Sequence, residues 1–277
     1  MSAEARPTVG YQGEPGAFSE EAVQALFGEA RAQPRRTLRA VFEDVEGRRL
    51  HYGVVPLENS QAGSINETYD LLALGSVSIV GEAVVRVDHA LVALPGVRLE
   101  EVRRVSSHPQ ALAQCEEFLS GLAVELVPVY DTAGAAKRIA ERGLREEAAV
   151  ASARAANLYG LAVLAERIQT YPDNRTRFAA ISLDPTPLGP PDRTSLLFVV
   201  RNEPGALYRS LRPFAERKLN LSKLESRPLG SEPWQYRFYL DVDAGRGDPG
   251  LEEALGELER ETTWLKVLGS YARWRGP

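Results

Sequence analysis

The sequence predicts an α/β protein with two differently organised parts, and three observations support this prediction. Through the first two thirds of the chain, short apolar runs alternate with amphipathic stretches, which indicates strands and helices in mainly parallel sheets. Four prolines stand in the nine residues from 184 to 192, which predicts a stiff linker. After it, roughly 80 residues follow the order βαββαβ, the ferredoxin-like split unit.

Local signals predict the elements of the first part. Acidic residues in the first turn favour a helix at 18–27. Pro109 opens a helix at 110–119, because its missing N–H needs no partner there. Asp131 caps a helix that runs to about residue 142. The other predicted elements are strands at 9–11, 53–57, 102–106, 124–129, 148–151 and 179–183, two strands within 77–94, and helices at 65–74 and 153–159.

In the second part, the alternation of apolar and polar residues predicts a strand directly. Apolar and polar residues alternate from 219 to 227, as a half-buried strand requires. The other predicted elements are strands at 194–201, 236–242 and 265–271, and helices at 204–217 and 251–261.

Composition restricts the classes of function. The 277 residues are 44% hydrophobic and 26% charged, as in globular proteins, and a net charge of −5 gives no electrostatic case for nucleic acid. Cys115 is the single cysteine, so it is expected to pack as an apolar residue, and the three histidines lack metal-ligand spacing. The sequence shows neither an apolar signal core nor a membrane-length apolar run. We therefore expect a cytoplasmic enzyme or regulator without nucleic-acid or membrane partners.

The segment 174–178, NRTRF, is the most informative for chemistry, and it precedes the apolar run 179–183. It places one hydroxyl between two guanidinium groups, which suits the binding of a dianionic acid. Thr176 has no nearby His or Lys to make it a nucleophile, so its hydroxyl is better suited to donating a hydrogen bond or a proton. The alternative interpretation is a charged turn before a strand.

Two further polar segments follow predicted strands, where open α/β sheets bind ligands. Glu58 and Asn59 follow the strand at 53–57 and suit a hydroxyl-bearing ligand, although Asn59 could equally cap the next helix. After Ser107, the N–H groups of a helix start can bind a carboxylate. For His108 the sequence leaves two alternative roles, a general acid or a structural helix cap.

These segments occur together and in order: 10–19 (GYQGEPGAFS), 55–60 (VPLENS), 107–115 (SHPQALAQC) and 174–178 (NRTRF). With them, the chain resembles a bacterial monofunctional prephenate dehydratase. The second part, with 204–207 (PGAL) and 224–228 (LESRP), resembles the ACT regulatory domain of that family. The resemblance covers nearly the whole chain, and its departures, at Arg175 and Tyr208, are small.

The resemblance implies a catalytic domain of two α/β lobes, like a type 2 periplasmic binding protein, with the substrate in the cleft between them. This domain would span residues 1–184. One lobe would combine 1–85 with 170–184, and the other would be 86–169. The linker would be 185–193 and the ACT domain 194–277.

The implied reaction converts prephenate to phenylpyruvate, water and carbon dioxide in phenylalanine biosynthesis. Because an aromatic ring forms, the driving force is large and no metal or other cofactor is expected. Thr176, Glu58 and Asn59 form the predicted catalytic set, with Thr176 as the hydrogen-bond or proton donor. Arg177 is predicted to bind a carboxylate bidentately, and Phe178 to form a wall against the ring. The other predicted substrate-binding residues are Ser107, His108, Gln114 and Asn174.

The implied ACT domain predicts feedback control by L-phenylalanine. ACT domains commonly pair side by side and bind an amino acid at the shared interface, so a homodimer or a dimer of dimers is expected. Gly205 would let backbone N–H groups approach the ligand closely. The predicted L-phenylalanine-binding residues are Gly205, Ala206, Leu207, Glu225, Ser226 and Arg227.

Three alternatives remain beside this interpretation. An arogenate dehydratase would act on a substrate with an amino group in place of the keto group, and the sequence does not separate the two. A solute-binding protein would share the two-lobed fold, but the lack of a signal peptide and the fused ACT domain argue against it. A non-catalytic amino-acid sensor would leave the polar strand ends of the first part unexplained.

Overall fold

The computed structural model of the chain describes residues 6–229 and 234–276. The strands in these residues are β1 (Thr8–Gln12), β2 (Arg31–Arg35), β3 (Tyr52–Asn59), β4 (Gly63–Ser64), β5 (Ser78–Arg86), β6 (Ala90–Ala93), β7 (Arg104–Ser107), β8 (Glu125–Pro128), β9 (Glu147–Ala151), β10 (Ala162–Ala165), β11 (Arg175–Ser182), β12 (Arg193–Val199), β13 (Leu221–Pro228), β14 (Tyr236–Val242) and β15 (Trp264–Tyr271).

The helices are α1 (Phe18–Phe27), α2 (Leu38–Glu46), α3 (Asn66–Leu74), α4 (Pro109–Gln114), α5 (Glu116–Ser120), α6 (Thr132–Arg142), α7 (Ala153–Leu158), α8 (Ala206–Glu216) and α9 (Pro249–Glu261). Short polar side chains cap several of them at the N-terminus. The predicted cap Asp131 accepts a hydrogen bond from Gly134 N at 2.7 Å, and Ser152 accepts one from Ala155 N at 3.0 Å. Each cap satisfies a backbone donor that the helix itself leaves free.

The first sheet has the strand order β2-β1-β3-β11-β5, with the short β4 paired to β3. β1 runs parallel to both β2 and β3. Helix α2 buries Leu38, Val41, Phe42 and Val45, which recur at helical spacing on one face. The parallel strands bring the ends of β1 and β3 to one edge, where ligands bind in open α/β sheets.

The second sheet has the order β10-β6-β9-β7-β8. β7 runs parallel to β8 and β9, whereas β6 runs antiparallel to β9 and β10. Alanines at the contact let α6 lie close to this sheet, and Ala133, Ala136 and Ile139 are buried against it. This sheet is therefore mixed, not mainly parallel.

The third sheet, β13-β14-β12-β15, is antiparallel and follows the predicted βαββαβ order with α8 and α9. Its apolar cluster includes Phe198, Phe214, Leu240 and Leu258. Burial alternates along β13, as its sequence pattern predicts.

The chain consists of two compact units. The first comprises the described residues up to Thr68 together with Val84–Phe178, and the second comprises Tyr69–Ala83 with the described residues from Ala179 onward. The sequence-based bounds differ, because they assign all of 1–184 to one domain. Those bounds stay a prediction.

Within the second unit, the end of α3 is held by charged and aromatic side chains. Lys266 Nζ donates to the carbonyl oxygens of Leu72 at 2.8 Å, Ala73 at 3.3 Å and Gly75 at 2.5 Å. An ammonium at this position satisfies carbonyls that a helix end leaves free and opposes the negative end of the helix dipole. Arg227 also contacts Asp70 in α3, at 3.1 Å.

Three expectations about elements need correction. The single helix expected at 110–119 is broken at Cys115 into α4 and α5. β11 begins at Arg175 and not at residue 179, so the NRTRF segment belongs to the strand. The sequence patterns also did not identify β2, β4, β10 or α2, and β2 is a polar edge strand without apolar alternation. Cys115 packs as an apolar residue, as predicted, and burial raises the pKa of its thiol to about 12.

We expect Glu82→Ala to destabilise the second unit strongly. The buried Glu82 carboxylate accepts hydrogen bonds from Arg193 Nη1 at 3.0 and 2.9 Å and from Trp274 N at 2.9 Å. Truncation removes the nearest carboxylate from the buried guanidinium, which keeps the longer contact of 3.4 Å to Asp243, and it leaves Trp274 N without this acceptor, so a loss of about 3 kcal/mol is expected. Urea unfolding followed by tryptophan fluorescence measures it, since all three tryptophans lie in residues 234–274.

Glu216→Ala is the matched control, because it removes an exposed ion pair with Arg212 at 3.7 Å. Its expected cost is below about 1 kcal/mol. Equal losses in the two variants would contradict the importance of the buried pair.

Candidate active site

The first compact unit contains a cavity of about 200 Å³ at the ends of β1 and β3 and the start of β11. Helices α1, α4 and α6 also contribute residues near their N-termini. Its lining combines apolar side chains, called here the apolar wall, with amides and other polar groups, called here the polar wall. The apolar wall includes Phe18, Pro56, Ile65, Val87, Ala111 and Phe178, and the polar wall includes Gln12, Asn59, His89, His108, Gln114, Tyr130, Asp131 and Thr176.

Asn59 is the centre of the polar wall. Its Oδ1 accepts hydrogen bonds from the backbone N–H groups of Gln61 and Ala62, both at 3.0 Å. Its Nδ2 lies 2.7 Å from Asn174 Oδ1 and 3.0 Å from Thr176 Oγ1. The predicted alternative, that Asn59 caps the next helix, is wrong, because its side chain satisfies the β3–β4 turn and reaches across to β11.

Gln114 joins this network from α4. Its Nε2 donates to Asn59 Oδ1 at 3.3 Å, and its Oε1 accepts from Asn174 Nδ2 at 3.0 Å. Asn59, Gln114, Asn174 and Thr176 are therefore brought together although they lie on three separate elements. Buried amides that satisfy one another hold each side chain in one orientation.

The network constrains the hydrogen bonding of the Thr176 hydroxyl. Asn59 Nδ2 is a donor, so Thr176 Oγ1 accepts at that contact. The hydroxyl hydrogen is thus available for a partner in the cavity. A lone hydroxyl with its lone pair engaged and its hydrogen available is suited to donating.

The arginines on either side do not surround this hydroxyl. Successive residues of a strand point to opposite faces, and Thr176 and Phe178 line the cavity whereas Arg177 does not. Arg177 Nε lies 3.0 Å from Glu58 Oε1, and Arg175 pairs with Asp173 at 2.7 Å. The expected flanking of Thr176 by two guanidinium groups is therefore wrong. The predicted roles of Glu58 and Arg177 at the substrate gain no support from this placement and stay predictions.

Ser107 and His108 have different positions. Ser107 is buried, its hydroxyl donates to Val150 O at 2.6 Å, and it is not among the cavity-lining residues. His108 caps α4 by accepting from Gln110 N at 3.2 Å, and it also lines the cavity. Burial lowers the pKa of His108, against an opposing effect of the Asp131 carboxylate. His108 is thus a helix cap, which is one of its two predicted roles, and it also lines the cavity.

The sequence analysis did not identify three titratable residues of the cavity. His89 is buried, with Nε2 3.0 Å from Gln114 Oε1 and its ring edge-on to Phe18. Asp131 was identified only as a cap, and burial raises its pKa. Tyr130 donates to Glu14 Oε1 at 2.6 Å, which lowers the pKa of Glu14. The sequence signal that could have identified His89 is its position within the mainly apolar run 84–94.

The predicted regulatory residues fall into two groups in the second unit. Ala206 and Leu207, the first residues of α8, line a cavity of about 150 Å³. Gly205 is the N-cap of this helix and has a φ of +81°. Glu225, Ser226 and Arg227 lie on β13, the edge strand of the third sheet, and are not among the residues lining that cavity. The two groups are separate within the described chain.

In residues 6–229 and 234–276, no group of three or more His, Cys, Asp or Glu side chains could hold a metal ion. No helix among these residues is long and apolar enough to cross a membrane.

Comparisons with known proteins agree with this organisation. The prephenate dehydratase family model matches residues 9–186, and the ACT domain model matches 194–260. An Arabidopsis thaliana protein named arogenate dehydratase/prephenate dehydratase 2, chloroplastic, is 44% identical over 277 residues, which is 96% of this chain and 73% of that protein.

Two solved structures are similar over most of their length. The crystal structure of prephenate dehydratase from Arthrobacter aurescens in complex with L-Phe has a TM-score of 0.86 and 33% identity, covering 96% of this chain and 90% of that one. A structure described as "GqqA- a novel type of quorum quenching acylases" has a TM-score of 0.87 and 36% identity, covering 97% and 98%.

The fold and the site define a small-molecule enzyme with an attached regulatory domain. The chain belongs to the prephenate dehydratase family, with a prephenate dehydratase domain followed by an ACT domain. The predicted fold class is confirmed, and so is the predicted activity, that of a lyase in phenylalanine biosynthesis.

Proposed function

We propose that the cavity binds prephenate and that the Thr176 hydroxyl donates a hydrogen bond to the ring hydroxyl that leaves. The observation that carries this proposal is the contact of 3.0 Å from Asn59 Nδ2 to Thr176 Oγ1. Donation by the amide engages a lone pair of the hydroxyl, which makes its hydrogen more acidic and directs it elsewhere.

The reaction balances with one proton. The ring C–O bond breaks and the hydroxyl leaves as water after receiving a proton. The bond to the ring carboxylate also breaks, its electron pair enters the ring, and carbon dioxide departs. Because a Thr hydroxyl is a weak acid, Thr176 polarises the leaving oxygen and relays a proton instead of acting as a free acid. The aromatic ring that forms supplies the driving force.

Neutral donors would bind the two carboxylates of the substrate. Among the cavity-lining residues, all in the described chain, none is Lys or Arg. Helix α1 places the first-turn residue Ser19 at the cavity, and helix N-termini favour anions. The apolar wall, including Phe178, would pack against the ring.

We propose a supporting role for the Glu58–Arg177 pair. Glu58 is next to Asn59 on β3, and Arg177 is next to Thr176 on β11. Because neighbouring strand residues point to opposite faces, the pair lies on the face away from the cavity. Their contact at 3.0 Å would keep β3 and β11 in register and so maintain the distance between Asn59 and Thr176.

Thr176→Val tests the proposed donor. Valine keeps the shape, and Asn59 Nδ2 keeps its bonds to Asn174 Oδ1 and to Arg175 O at 3.2 Å, so the fold should persist. We expect kcat for phenylpyruvate formation to fall about 10²–10⁴-fold. Thr176→Ser, which retains the hydroxyl, should lose far less.

Arg175→Ala is the matched control, since this exposed neighbour points away from the cavity. Its turnover should stay near that of the wild type. Full activity of Thr176→Val would contradict the donor role. A folded wild-type protein with no turnover of prephenate or arogenate would overturn the proposed function.

Arogenate is a second candidate substrate, and one feature of the cavity favours it. Asp131 places a carboxylate in the lining, and a carboxylate would attract the ammonium group that distinguishes arogenate from prephenate. The Arabidopsis thaliana relative also carries both activities in its name.

Asp131→Asn separates the two substrates. Asparagine caps helices as well as aspartate does, so α6 should remain capped while the charge is removed. If Asp131 binds the ammonium group, kcat/KM should fall about tenfold for arogenate, the equivalent of roughly 1.4 kcal/mol, and much less for prephenate. Equal changes for both substrates would exclude Asp131 as the discriminating group.

We propose that L-phenylalanine regulates the enzyme by binding at the start of α8. The similar Arthrobacter aurescens protein was solved with L-Phe, and the cavity beside Ala206 and Leu207 is a suitable place for it here. A ligand shifts turnover only if it binds two arrangements of the protein with different affinity.

Gly205→Ala tests the regulatory site. Gly205 has φ +81°, which is unfavourable for alanine, and an added Cβ would lie 3.2 Å from Arg209 Nη1, so the Arg209 guanidinium must also move slightly. We expect the L-phenylalanine concentration for half-inhibition to rise about tenfold. Gly247→Ala is the control, because its φ of +96° is also unfavourable for alanine but its Cβ meets nothing within 4 Å. Equal responses of the two variants would exclude a specific role for Gly205.

Several finer expectations stay predictions. A bacterial, monofunctional origin and a cytoplasmic location are among them, and the similar Arabidopsis thaliana protein is named as chloroplastic. The homodimer or dimer of dimers and the binding of L-phenylalanine by Glu225, Ser226 and Arg227 also stay predictions. Size-exclusion chromatography with light scattering measures the oligomeric state directly.

A further inference from the structure

Backbone groups determine the orientation of every amide in the active-site network. Asn59 Oδ1 faces two backbone N–H groups, and Asn59 Nδ2 faces the carbonyl of Arg175, so its oxygen and nitrogen cannot be exchanged. The Asn174 atom 2.7 Å from Asn59 Nδ2 must then be an oxygen, which turns the Asn174 nitrogen towards Gln114. The Gln114 atom that receives this nitrogen must be its oxygen.

The same reasoning determines the tautomer of His89. His89 Nε2 lies 3.0 Å from Gln114 Oε1, which can only accept, so Nε2 carries the hydrogen. Nδ1 is buried and has no hydrogen-bond partner among the described residues. A buried acceptor left unpaired costs stability, so this histidine is not placed for stability alone.

We propose that His89 is a positioning residue for the dehydratase reaction: its Nε2–H holds Gln114, and through Asn174 and Asn59 it keeps the Thr176 hydrogen directed into the cavity. The proposal rests on the proposed function of Thr176. His89 itself forms no bond to the hydroxyl and acts only through the amides. Its ring is held edge-on to Phe18 at 5.6 Å, which limits its rotation.

The chain of donors runs in one direction. His89 Nε2 and Asn174 Nδ2 both donate to Gln114 Oε1, Gln114 Nε2 donates to Asn59 Oδ1, and Asn59 Nδ2 donates to Thr176 Oγ1. If the donor at His89 is lost, the Gln114 carboxamide loses one of the two contacts that orient its oxygen. A rotated Gln114 would present its nitrogen to Asn174 Nδ2, donor against donor, and would loosen the amides that hold Thr176.

Two substitutions of His89 separate positioning from packing. The amide nitrogen of Gln can reach the position of His Nε2, whereas Asn is shorter by one bond and cannot contact Gln114 Oε1. We expect His89→Asn to lower kcat roughly 10–100-fold with KM changed less than about threefold, because the reacting groups are misplaced and not removed. His89→Gln should keep kcat within about threefold of wild type.

His51→Asn is the matched control, since that histidine contacts Thr8 at 2.7 Å and is not among the cavity-lining residues. It should leave turnover unchanged. Equal kcat values for folded His89→Asn and His89→Gln would overturn the proposal, as would a loss that appears only in KM. In a Thr176→Val background, His89→Asn should cause no further fall, because the group through which it acts is gone.

A spectroscopic measurement keeps this proposal separate from the proposed function. Nitrogen-15 NMR of histidine-labelled protein should show His89 with a protonated Nε2 and a bare Nδ1, and only three histidines need assignment. The opposite tautomer would overturn the proposal even if the enzyme is active. The expected tautomer in a protein without dehydratase turnover would overturn the proposed function but leave the network geometry intact.

Discussion

The active site depends on one buried carboxamide, that of Asn59. Both of its ends are satisfied, the oxygen by backbone N–H groups of the β3–β4 turn and the nitrogen by groups of β11. An amide held in this way cannot rotate without leaving buried donors and acceptors unpaired. Its nitrogen therefore always faces the Thr176 oxygen, and the chemistry of the hydroxyl follows from this constraint.

Successive residues of β11 point to opposite faces of the sheet, and this alternation separates the charged Arg177 from the neutral Thr176. Thr176 and Phe178 face the cavity, while Arg177 faces Glu58 on the other side. The cavity thus combines an apolar wall with neutral amide and hydroxyl donors, and charge in its described lining comes from Asp131 and not from arginine.

Helix α3 has polar partners in each unit considered by itself. In the first unit, the short β4 that precedes the helix pairs with β3 at Asn59. In the second unit, Lys266 donates to the carbonyls at the end of the helix, and Arg227 pairs with Asp70 within it. The Lys266 ammonium satisfies carbonyl groups that a helix end leaves free and opposes the negative end of the helix dipole.

The sequence by itself determined the fold class and the βαββαβ unit, because these depend on local periodicity. From the chemistry of single residues it also predicted Thr176 as the donor, and that role stays a prediction. The sequence did not determine which side chains meet, since Asn59 and Asn174 are 115 residues apart and a strand residue can face either side. Only the tertiary structure shows that Arg177 is not among the cavity-lining residues and that His89 and Asp131 are. Strand pairing decides these positions, and pairing depends on contacts distant in sequence.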